Sequence, residues 1–265
     1  MPASLAEIVE NKRCELEKRK AKRPLSAFKN QVHQCNFEFE AALSQFGVNL
    51  ICEIKPKSPS AGTLNAKVNV KKVVALYSKY AKAISVLTDE KYFGGSIDLL
   101  RKVSSSTKLP TLCKDFVIDP YQCFEARHAG AKGILLIVKI LEDDQLKLLN
   151  ATAMSLGLTA VVEVQTGEEL KRALLIDPKV LLINNRNLDT FETDLQTTHK
   201  LAPTIPIGKT VICASGINTK RDIERLLPFC LNFLIGSALM KSDDMETLLA
   251  QLAKADLTFA SGVSK

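Results

Sequence analysis

Residues 50–62 of the chain have the sequence LICEIKPKSPSAG, and the fold and the function are both inferred outward from this stretch. It begins as an apolar strand in which Glu53 and Lys55 occupy alternate positions, so both side chains point to the same face. Opposite charges on a buried face are costly unless they are paired or used in chemistry. A rigid, basic, hydroxyl-rich loop follows at residues 56–62. The stretch therefore indicates one wall of an active site.

The composition is typical of a soluble globular protein, with 46% hydrophobic and 25% charged residues among 265. The first turns are charged and no apolar run is long enough to span a membrane, so we expect neither a signal peptide nor a membrane segment. Seven cysteines without a C-x-x-C pair favour free thiols and a cytoplasmic location, and Cys52, Cys113 and Cys213 lie in apolar runs. The net charge of +7 favours an acidic small molecule over nucleic acid, because no RNA-binding signature accompanies it.

From residue 49 onward, short apolar runs alternate eight times with amphipathic segments. This pattern predicts an α/β protein with a (β/α)8 TIM barrel. An open doubly wound sheet is the alternative, but the first strand is not followed by a glycine-rich dinucleotide motif. The predicted strands are residues 49–54, 83–88, 110–114, 132–137, 159–164, 180–184, 209–214 and 231–235. The predicted helices are residues 68–80, 96–105, 119–129, 142–156, 167–174, 194–202, 219–227 and 243–254.

The region before the barrel lacks the alternation of strands and helices. We expect residues 1–47 to form an N-terminal helical extension that packs on the barrel, and residues 48–265 to form the barrel as a single catalytic domain. Residues 4–22 have the pattern of a charged amphipathic helix, and residues 26–46 are helical or irregular. The apolar residues available for packing in these two segments are Leu5, Ile8, Val9, Leu16, Phe28, Phe37, Phe39 and Phe46.

Charged and polar residues cluster at the predicted carboxyl ends of the strands, where the active site of such a barrel lies. Each one alone is compatible with a structural ion pair, but several that converge on one rim indicate a functional site. These residues are Glu53, Lys55, Lys114, Asp115, Lys139, Glu163, Asn184, Asn185 and Arg186.

Two glycine-containing loops predict a phosphate site. Residues 215–217 follow the seventh predicted strand and residues 236–238 follow the eighth, which is the usual phosphate position in these barrels. No metal or other cofactor is expected, because His33, His128 and His199 are the only histidines and none lies at a predicted strand end. Without a histidine at the strand ends to act as a base, nucleophilic catalysis by a cysteine is also disfavoured.

Eight blocks within about residues 50–242 resemble, in order, the indole-3-glycerol phosphate synthase family. They are EIKPKSPS, SVLTDEKYFGGS, LCKDF, LLIVKIL, VEV, INNRNL, ASGI and FLIGSALM, and the charged N-terminal helix also matches that family. The resemblance implies a carboxy-lyase of tryptophan biosynthesis. Its reaction closes 1-(2-carboxyphenylamino)-1-deoxyribulose 5-phosphate to indole-3-glycerol phosphate, with loss of CO2 and water. The implied partner is thus a phosphorylated small molecule, with no nucleic acid and no membrane, and we expect a monomer.

The resemblance also implies roles for individual residues. Lys114 is the implied general acid and Glu163 the base for the later dehydration, while Lys55 engages charged groups of the substrate. How the two lysines divide the acid work is left open. The remaining implied site residues are Glu53 and Asn184 as orienting and stabilising groups, Phe116 and Leu135 as the aromatic pocket, Ser58 and Arg186 nearby, and Ser215, Gly216, Gly236 and Ser237 as the phosphate site.

One position departs from the family pattern, which has E-S-G-I where this sequence has Ala214-Ser215-Gly216-Ile217. A carboxylate at the rim is therefore missing. Activity is still expected, and the level of that activity is left open. Some relatives carry a fused phosphoribosylanthranilate isomerase, for which the sequence ending at Lys265 leaves no room. Three alternative functions remain. A phosphosugar isomerase would share the phosphate loops but would not need the Lys-Pro-Lys-Ser-Pro loop, and a catalytically silent barrel would fit Ala214 but not the intact lysines and glutamates. A nucleic-acid binder would show salt-sensitive retention on DNA or RNA.

Overall fold

The computed structural model describes residues 3–58, 62–63 and 69–260, and for residues 58, 62 and 63 it describes the backbone only. Eight parallel strands close into a barrel in which neighbours follow the chain order and the eighth strand pairs with the first. The TIM barrel prediction is therefore confirmed. In chain order the strands are Asn49–Ile54, Ala81–Leu87, Thr111–Lys114, Gly133–Ile137, Thr159–Val164, Val180–Asn184, Thr210–Ala214 and Asn232–Ile235.

Helices connect the strands, and the ends of the predicted strands and helices differ from the observed ends by no more than two residues. The helices of the barrel are Val70–Tyr80, Ile97–Ser104, Pro120–His128, Asp143–Ser155, Gly167–Leu174, Gln196–Leu201, Lys220–Leu226, Ser237–Lys241 and Met245–Ala253. The short helix Ser237–Lys241 was not predicted. Shorter elements are a hairpin of Lys57–Ser58 with Gly62–Thr63 and the 3-10 turns Leu25–Ala27, Lys29–Gln31, Val138–Ile140, Ala202–Thr204 and Leu257–Ala260.

The alternation of side chains along the first strand places it between two buried layers. Leu50, Cys52 and Ile54 belong to the large apolar cluster that the helices form with the outside of the barrel. Ile51 belongs to a second cluster, together with apolar residues from the other strands. Glu53 is the next residue on the side of Ile51 and is only 3% exposed. The two-residue period of the strand therefore carries this carboxylate into the interior of the barrel.

The segment before the barrel begins with the helix Leu5–Lys22, which starts at a capping box formed by Ser4 and Glu7. Its buried residues are Ile8, Lys12 and Leu16. Two 3-10 turns and the helix Glu38–Leu43 follow. Of the four phenylalanines available for packing in this segment, Phe28 and Phe39 are buried, whereas Phe37 and Phe46 are exposed.

All seven cysteines are free thiols, and only Cys14 is exposed. Burial raises the pKa of the Cys52 and Cys113 thiols well above the usual range, which makes them unreactive parts of the core. In the described part of the chain, no helix combines the length and the apolarity that crossing a bilayer requires.

Candidate active site

The carboxyl ends of the strands open into a cavity of about 240 Å³. Lys139 was considered a strand-end charge but lies outside the cavity lining, in the turn Val138–Ile140, where it forms an ion pair with Asp189. The side chain of Ser58 lies outside the described residues. Asn185, also predicted at the rim, lies behind the cavity lining, where its Oδ1 accepts a 2.9 Å hydrogen bond from Oγ1 of Thr198. The other predicted site residues line the cavity, and they are Glu53, Lys55, Lys114, Asp115, Phe116, Leu135, Glu163, Asn184, Arg186, Ser215, Gly216, Gly236 and Ser237.

Glu53 connects the two lysines of the cavity. Its Oε1 lies 3.1 Å from Nζ of Lys55, and its Oε2 lies 3.7 Å from Nζ of Lys114. Burial alone would raise the pKa of Glu53, but the two ammonium groups outweigh it and hold this pKa below the usual value. The carboxylate therefore stays charged and keeps both lysines facing the cavity.

The first and eighth strands meet closely at Gly236. A Cβ atom at this position would lie 2.2 Å from Oε1 of Glu53, so only glycine leaves room for the carboxylate. The neighbouring Ser237 accepts a hydrogen bond of 3.0 Å at Oγ from Nζ of Lys55. Lys55 thus links the carboxylate on the first strand to the loop after the eighth.

Glu163 is the second carboxylate of the cavity and lies 2% exposed at the end of the fifth strand. Burial raises its pKa, whereas the charge of Lys114 and a hydrogen bond from Asn184 act in the opposite direction without cancelling the rise. That hydrogen bond runs from Nδ2 of Asn184 to Oε1 of Glu163 over 2.9 Å. A carboxylate with a raised pKa is suited to accept and return protons near neutral pH.

The loop after the sixth strand folds over one side of the cavity, and its role was missed in the sequence. Nη1 of Arg186 donates to the carbonyl oxygen of Phe191 over 3.0 Å, and Arg186 pairs with Thr193 in an isolated bridge. Leu188, Phe191 and Thr193 line the cavity. A signal was present in Asn187, whose Oδ1 accepts from two later backbone N–H groups in the manner of an Asx turn.

An apolar wall lies on another side of the cavity. Phe116 and Leu135 contribute to it as predicted, and Phe93 was missed. The ring centroids of Phe93 and Phe116 are 6.0 Å apart. Phe93 directly precedes Gly94 and Gly95, and this glycine pair after the second strand is the sequence feature that could have placed it at the mouth of the barrel.

The loop after the seventh strand contains two consecutive left-handed residues, Ser215 at φ +69° and Gly216 at φ +79°. A Cβ atom on Gly216 would lie 2.7 Å from Cγ2 of Thr193, so both the backbone angle and the space favour glycine. Asn185 supports this turn by donating from Nδ2 to the carbonyl oxygen of Ser215 over 3.2 Å. Ala214, which replaces the expected carboxylate, is buried and lines the cavity.

The histidines lie away from the cavity lining. His128 is within the helix Pro120–His128, and His199 packs its ring against Phe229 with centroids 4.7 Å apart. Within the ranges that the structure describes, no group of three histidine, cysteine, aspartate or glutamate side chains is arranged to hold a metal ion.

The chain is similar in sequence to proteins of tryptophan biosynthesis. "Tryptophan biosynthesis protein TrpCF" of Vibrio cholerae is 42% identical over 252 residues, which make up 95% of this chain and 54% of that protein. The protein of the same name from Salmonella typhi is 42% identical over 252 residues, with 95% of this chain and 56% of the relative covered. The chain therefore spans about half the length of the curated relatives it matches.

A crystal structure of the tryptophan synthase alpha chain from Legionella pneumophila superposes with a TM-score of 0.62 at 11% identity, covering 83% of this chain and 97% of that chain. At this identity the likeness shows the fold alone. The model of the family described as "Indole-3-glycerol phosphate synthase" matches residues 5–252, nearly the whole described chain. The chain belongs to the indole-3-glycerol phosphate synthase family.

Proposed function

We propose that this chain converts 1-(2-carboxyphenylamino)-1-deoxyribulose 5-phosphate to indole-3-glycerol phosphate, with release of CO2 and water. The observation that carries the proposal is the pairing of Lys55 and Lys114 with one buried carboxylate in a cavity that also contains Glu163. Membership of the family supports the same reaction, and so do relatives named for tryptophan biosynthesis.

Ring closure requires a proton donor. The aromatic carbon that carries the carboxylate attacks C2 of the deoxyribulose, and the oxygen on C2 takes up a proton as the new bond forms. Lys114 supplies this proton, because its ammonium group faces the cavity and is held 3.7 Å from Glu53. Loss of CO2 from the same ring carbon then restores the aromatic ring.

Dehydration requires a base. The hydroxyl group left on C2 departs as water while a proton is removed from the new five-membered ring, which completes the indole. Glu163 accepts this proton, since its raised pKa gives a carboxylate basic enough for the step. Asn184 keeps this carboxylate oriented through its 2.9 Å hydrogen bond.

Substrate binding uses the rest of the lining. The phosphate lies against the loops at Ser215, Gly216, Gly236 and Ser237, where Lys55 adds a positive charge 3.0 Å from Oγ of Ser237. The aromatic ring of the substrate packs on the wall that contains Phe93 and Phe116. Arg186 lines the cavity near these groups and keeps the loop of Phe191 folded.

The test is direct because the chain contains no tryptophan, so the protein adds no indole fluorescence of its own to that of the product. The purified protein is mixed with 1-(2-carboxyphenylamino)-1-deoxyribulose 5-phosphate, and indole absorbance and fluorescence are followed. We expect product formation that is saturable and is lost in Lys114→Met. If the protein forms no indole product at any pH between 6 and 9, the proposed function is wrong.

The division of the chain is also proposed. We infer that residues 1–47 form an extension that packs on a barrel of residues 48–265. The ion pair between Lys20 of the N-terminal helix and Asp119 of the barrel, at 2.7 Å, supports this division. The cytoplasmic location and the monomeric state stay predictions.

A further inference from the structure

Lys12 belongs to the N-terminal helix rather than to the barrel, yet its side chain is only 1% exposed. Its Nζ lies 2.9 Å from Oδ2 of Asp89 and 2.9 Å from Oδ1 of Asp115, and Glu15 of the same helix lies 3.0 Å away. Burial alone would lower the pKa of Lys12, but the aspartates outweigh it and raise this pKa, so the ammonium stays charged. Apart from this ammonium, no group among the described residues donates a hydrogen bond to Oδ2 of Asp89, so Lys12 is the group that neutralises it.

Asp115 lies between two residues of the active-site lining, Lys114 and Phe116. Its Oδ1 accepts a 2.8 Å hydrogen bond from the backbone N–H of Phe116, and its Oδ2 accepts another of 2.8 Å from Oγ1 of Thr88. Both carboxylate oxygens are therefore engaged, and the position of this carboxylate determines the direction in which the chain leaves the third strand. The ammonium group of Lys114 and the ring of Phe116 therefore move with the carboxylate of Asp115.

Asp89 likewise accepts backbone hydrogen bonds, and these fix the loop after the second strand. Its Oδ1 accepts hydrogen bonds from the backbone N–H groups of Tyr92 at 2.8 Å and Phe93 at 3.2 Å, and its carbonyl oxygen accepts one from Gly95 at 2.8 Å. These bonds fold the loop that carries Phe93 to the apolar wall of the cavity. Lys12 therefore contacts, through two carboxylates, both loops that shape this wall.

We propose that Lys12 is a positioning residue for the ring-closure reaction, since it is the charge that holds Asp89 and Asp115 together and thereby places Lys114, Phe93 and Phe116. The inference rests on the proposed function. Without the ammonium group, the carboxylates of Asp89 and Asp115, each of which now lies 2.9 Å from Nζ of Lys12, would face each other in a buried site. They would repel or take up a proton, and either change would disturb the backbone hydrogen bonds that they accept.

The same helix offers a matched control. Lys20 also pairs with an aspartate of the barrel, Asp119, at 2.7 Å, but neither of these two residues lines the cavity. Substitution by methionine keeps a long apolar stem and removes the charge in both cases. Lys12→Met and Lys20→Met differ in whether the lost ion pair adjoins the active site, and also in burial, because the side chain of Lys20 is 33% exposed. Stability is therefore measured separately from activity.

The first experiment compares the kinetics of the two variants, with thermal unfolding as a separate measure of stability. For Lys12→Met we expect kcat to fall by about 10- to 100-fold, as a displacement of a catalytic group by ~1 Å does. KM should rise by a smaller factor, because the apolar wall is displaced while the phosphate loops at the seventh and eighth strands are untouched. Lys20→Met should keep the kcat of the wild type. Equal kcat values for Lys12→Met and the wild type at a temperature where both are folded would show that Lys12 only stabilises the fold.

A second variant addresses the possibility that Lys12→Met does not fold. In Lys12→Met/Asp89→Asn, one buried charge is removed together with the ammonium, and the amide oxygen of asparagine can still accept from the N–H groups of Tyr92 and Phe93. We expect this double variant to fold, with a kcat below that of Asp89→Asn. A double variant as active as Asp89→Asn alone would contradict the proposal.

A measurement that needs no turnover separates this inference from the proposed function. Lysines are labelled by reductive methylation with formaldehyde and a borane reductant, and the rate at each site is followed by peptide mass spectrometry. In Lys12→Met, a displaced Lys114 loses its contact with Glu53 and should be labelled several-fold faster, while Lys55 keeps its rate. If the wild type forms no indole product, the proposed function fails and the labelling still decides the role of Lys12. An unchanged rate at Lys114 would overturn that role.

Discussion

Nδ2 of Asn184 donates a hydrogen bond of 2.9 Å to Oε1 of Glu163, across neighbouring strands inside the barrel. Both side chains are buried, so this bond acts in a poorly solvated environment where its effect on the carboxylate is large. It favours the charged form of Glu163 and opposes the rise in pKa that burial causes. The amide of Asn184 therefore adjusts how readily Glu163 gives up its proton.

Replacing this amide should shift the pH dependence of the enzyme. In Asn184→Leu, the bond that lowers the pKa of Glu163 is lost at similar volume, so this pKa rises further. The base acts in its ionised form, and activity is lost as the pH falls through its pKa. We therefore expect the acid limb of the kcat profile to move to higher pH by about one unit. An acid limb that coincides with that of the wild type would show that Glu163 is not the group that titrates.

Lys114→Met should remove the proposed proton donor while the loops proposed to bind the phosphate remain. Because a general acid acts in the transition state, we expect kcat to fall by about 10²- to 10⁴-fold, with a smaller rise in KM. Lys139→Met is the matched control, since Lys139 also follows a barrel strand but pairs with Asp189 outside the cavity lining. Steady-state kinetics of both variants measure these changes in kcat and KM. A near-normal kcat in Lys114→Met would show that this lysine has only a structural role.

Gly236→Ala should disturb catalysis through a single methyl group. The new Cβ would lie 2.2 Å from Oε1 of Glu53 and would push this carboxylate away from Lys55. We expect kcat/KM to fall by about 100-fold, because the displaced group orients both lysines. Gly167→Ala is the control, since a Cβ there meets no atom within 4 Å. It should leave kcat/KM unchanged, and equal effects of the two substitutions on kcat/KM would refute the argument.

The barrel could be predicted from the sequence because each strand carries its own signal. The first strand places apolar residues on both faces until Glu53 and Lys55 interrupt one of them, and that interruption marks the carboxyl end where the cavity lies. Similar changes from apolar to polar residues at the other strand ends identified the lysines, carboxylates and amide that the structure brings together. These are local patterns, and the fixed geometry of the barrel supplies the distances.

Lys12 could not be predicted in the same way. The helix Leu5–Lys22 contains several lysines and arginines, and Lys12 is the one that lies four residues from both Ile8 and Leu16, so the spacing places it on the buried face without showing what pairs with it. Its burial depends on Asp89 and Asp115, which are distant in sequence and approach only when the helix lies on the closed barrel. Phe191 was missed for a related reason, because its left-handed backbone at φ +60° belongs to an irregular loop without periodicity.

Ala214 occupies a position where a carboxylate would change the charge balance of the cavity. It lies between Asn184 of the sixth strand and Leu234 of the eighth in the strand register, and its side chain is 3% exposed. Among the described residues, the cationic ones that line the cavity are Lys55, Lys114 and Arg186. The cavity lining contains the carboxylates of Glu53 and Glu163, and a third from Asp115 that already pairs with Lys12.

Ala214→Glu should therefore move the alkaline limb of the kcat/KM profile to higher pH. The limb is set by a lysine that loses its proton, and a carboxylate within about 4–6 Å favours the protonated form, so activity persists to higher pH. The added negative charge also repels the phosphate and carboxylate of the substrate, and KM should rise. Ala214→Gln adds similar bulk without the charge and should leave the alkaline limb in place. Superimposable alkaline limbs for the wild type and Ala214→Glu would mean that position 214 is not coupled to the catalytic lysines.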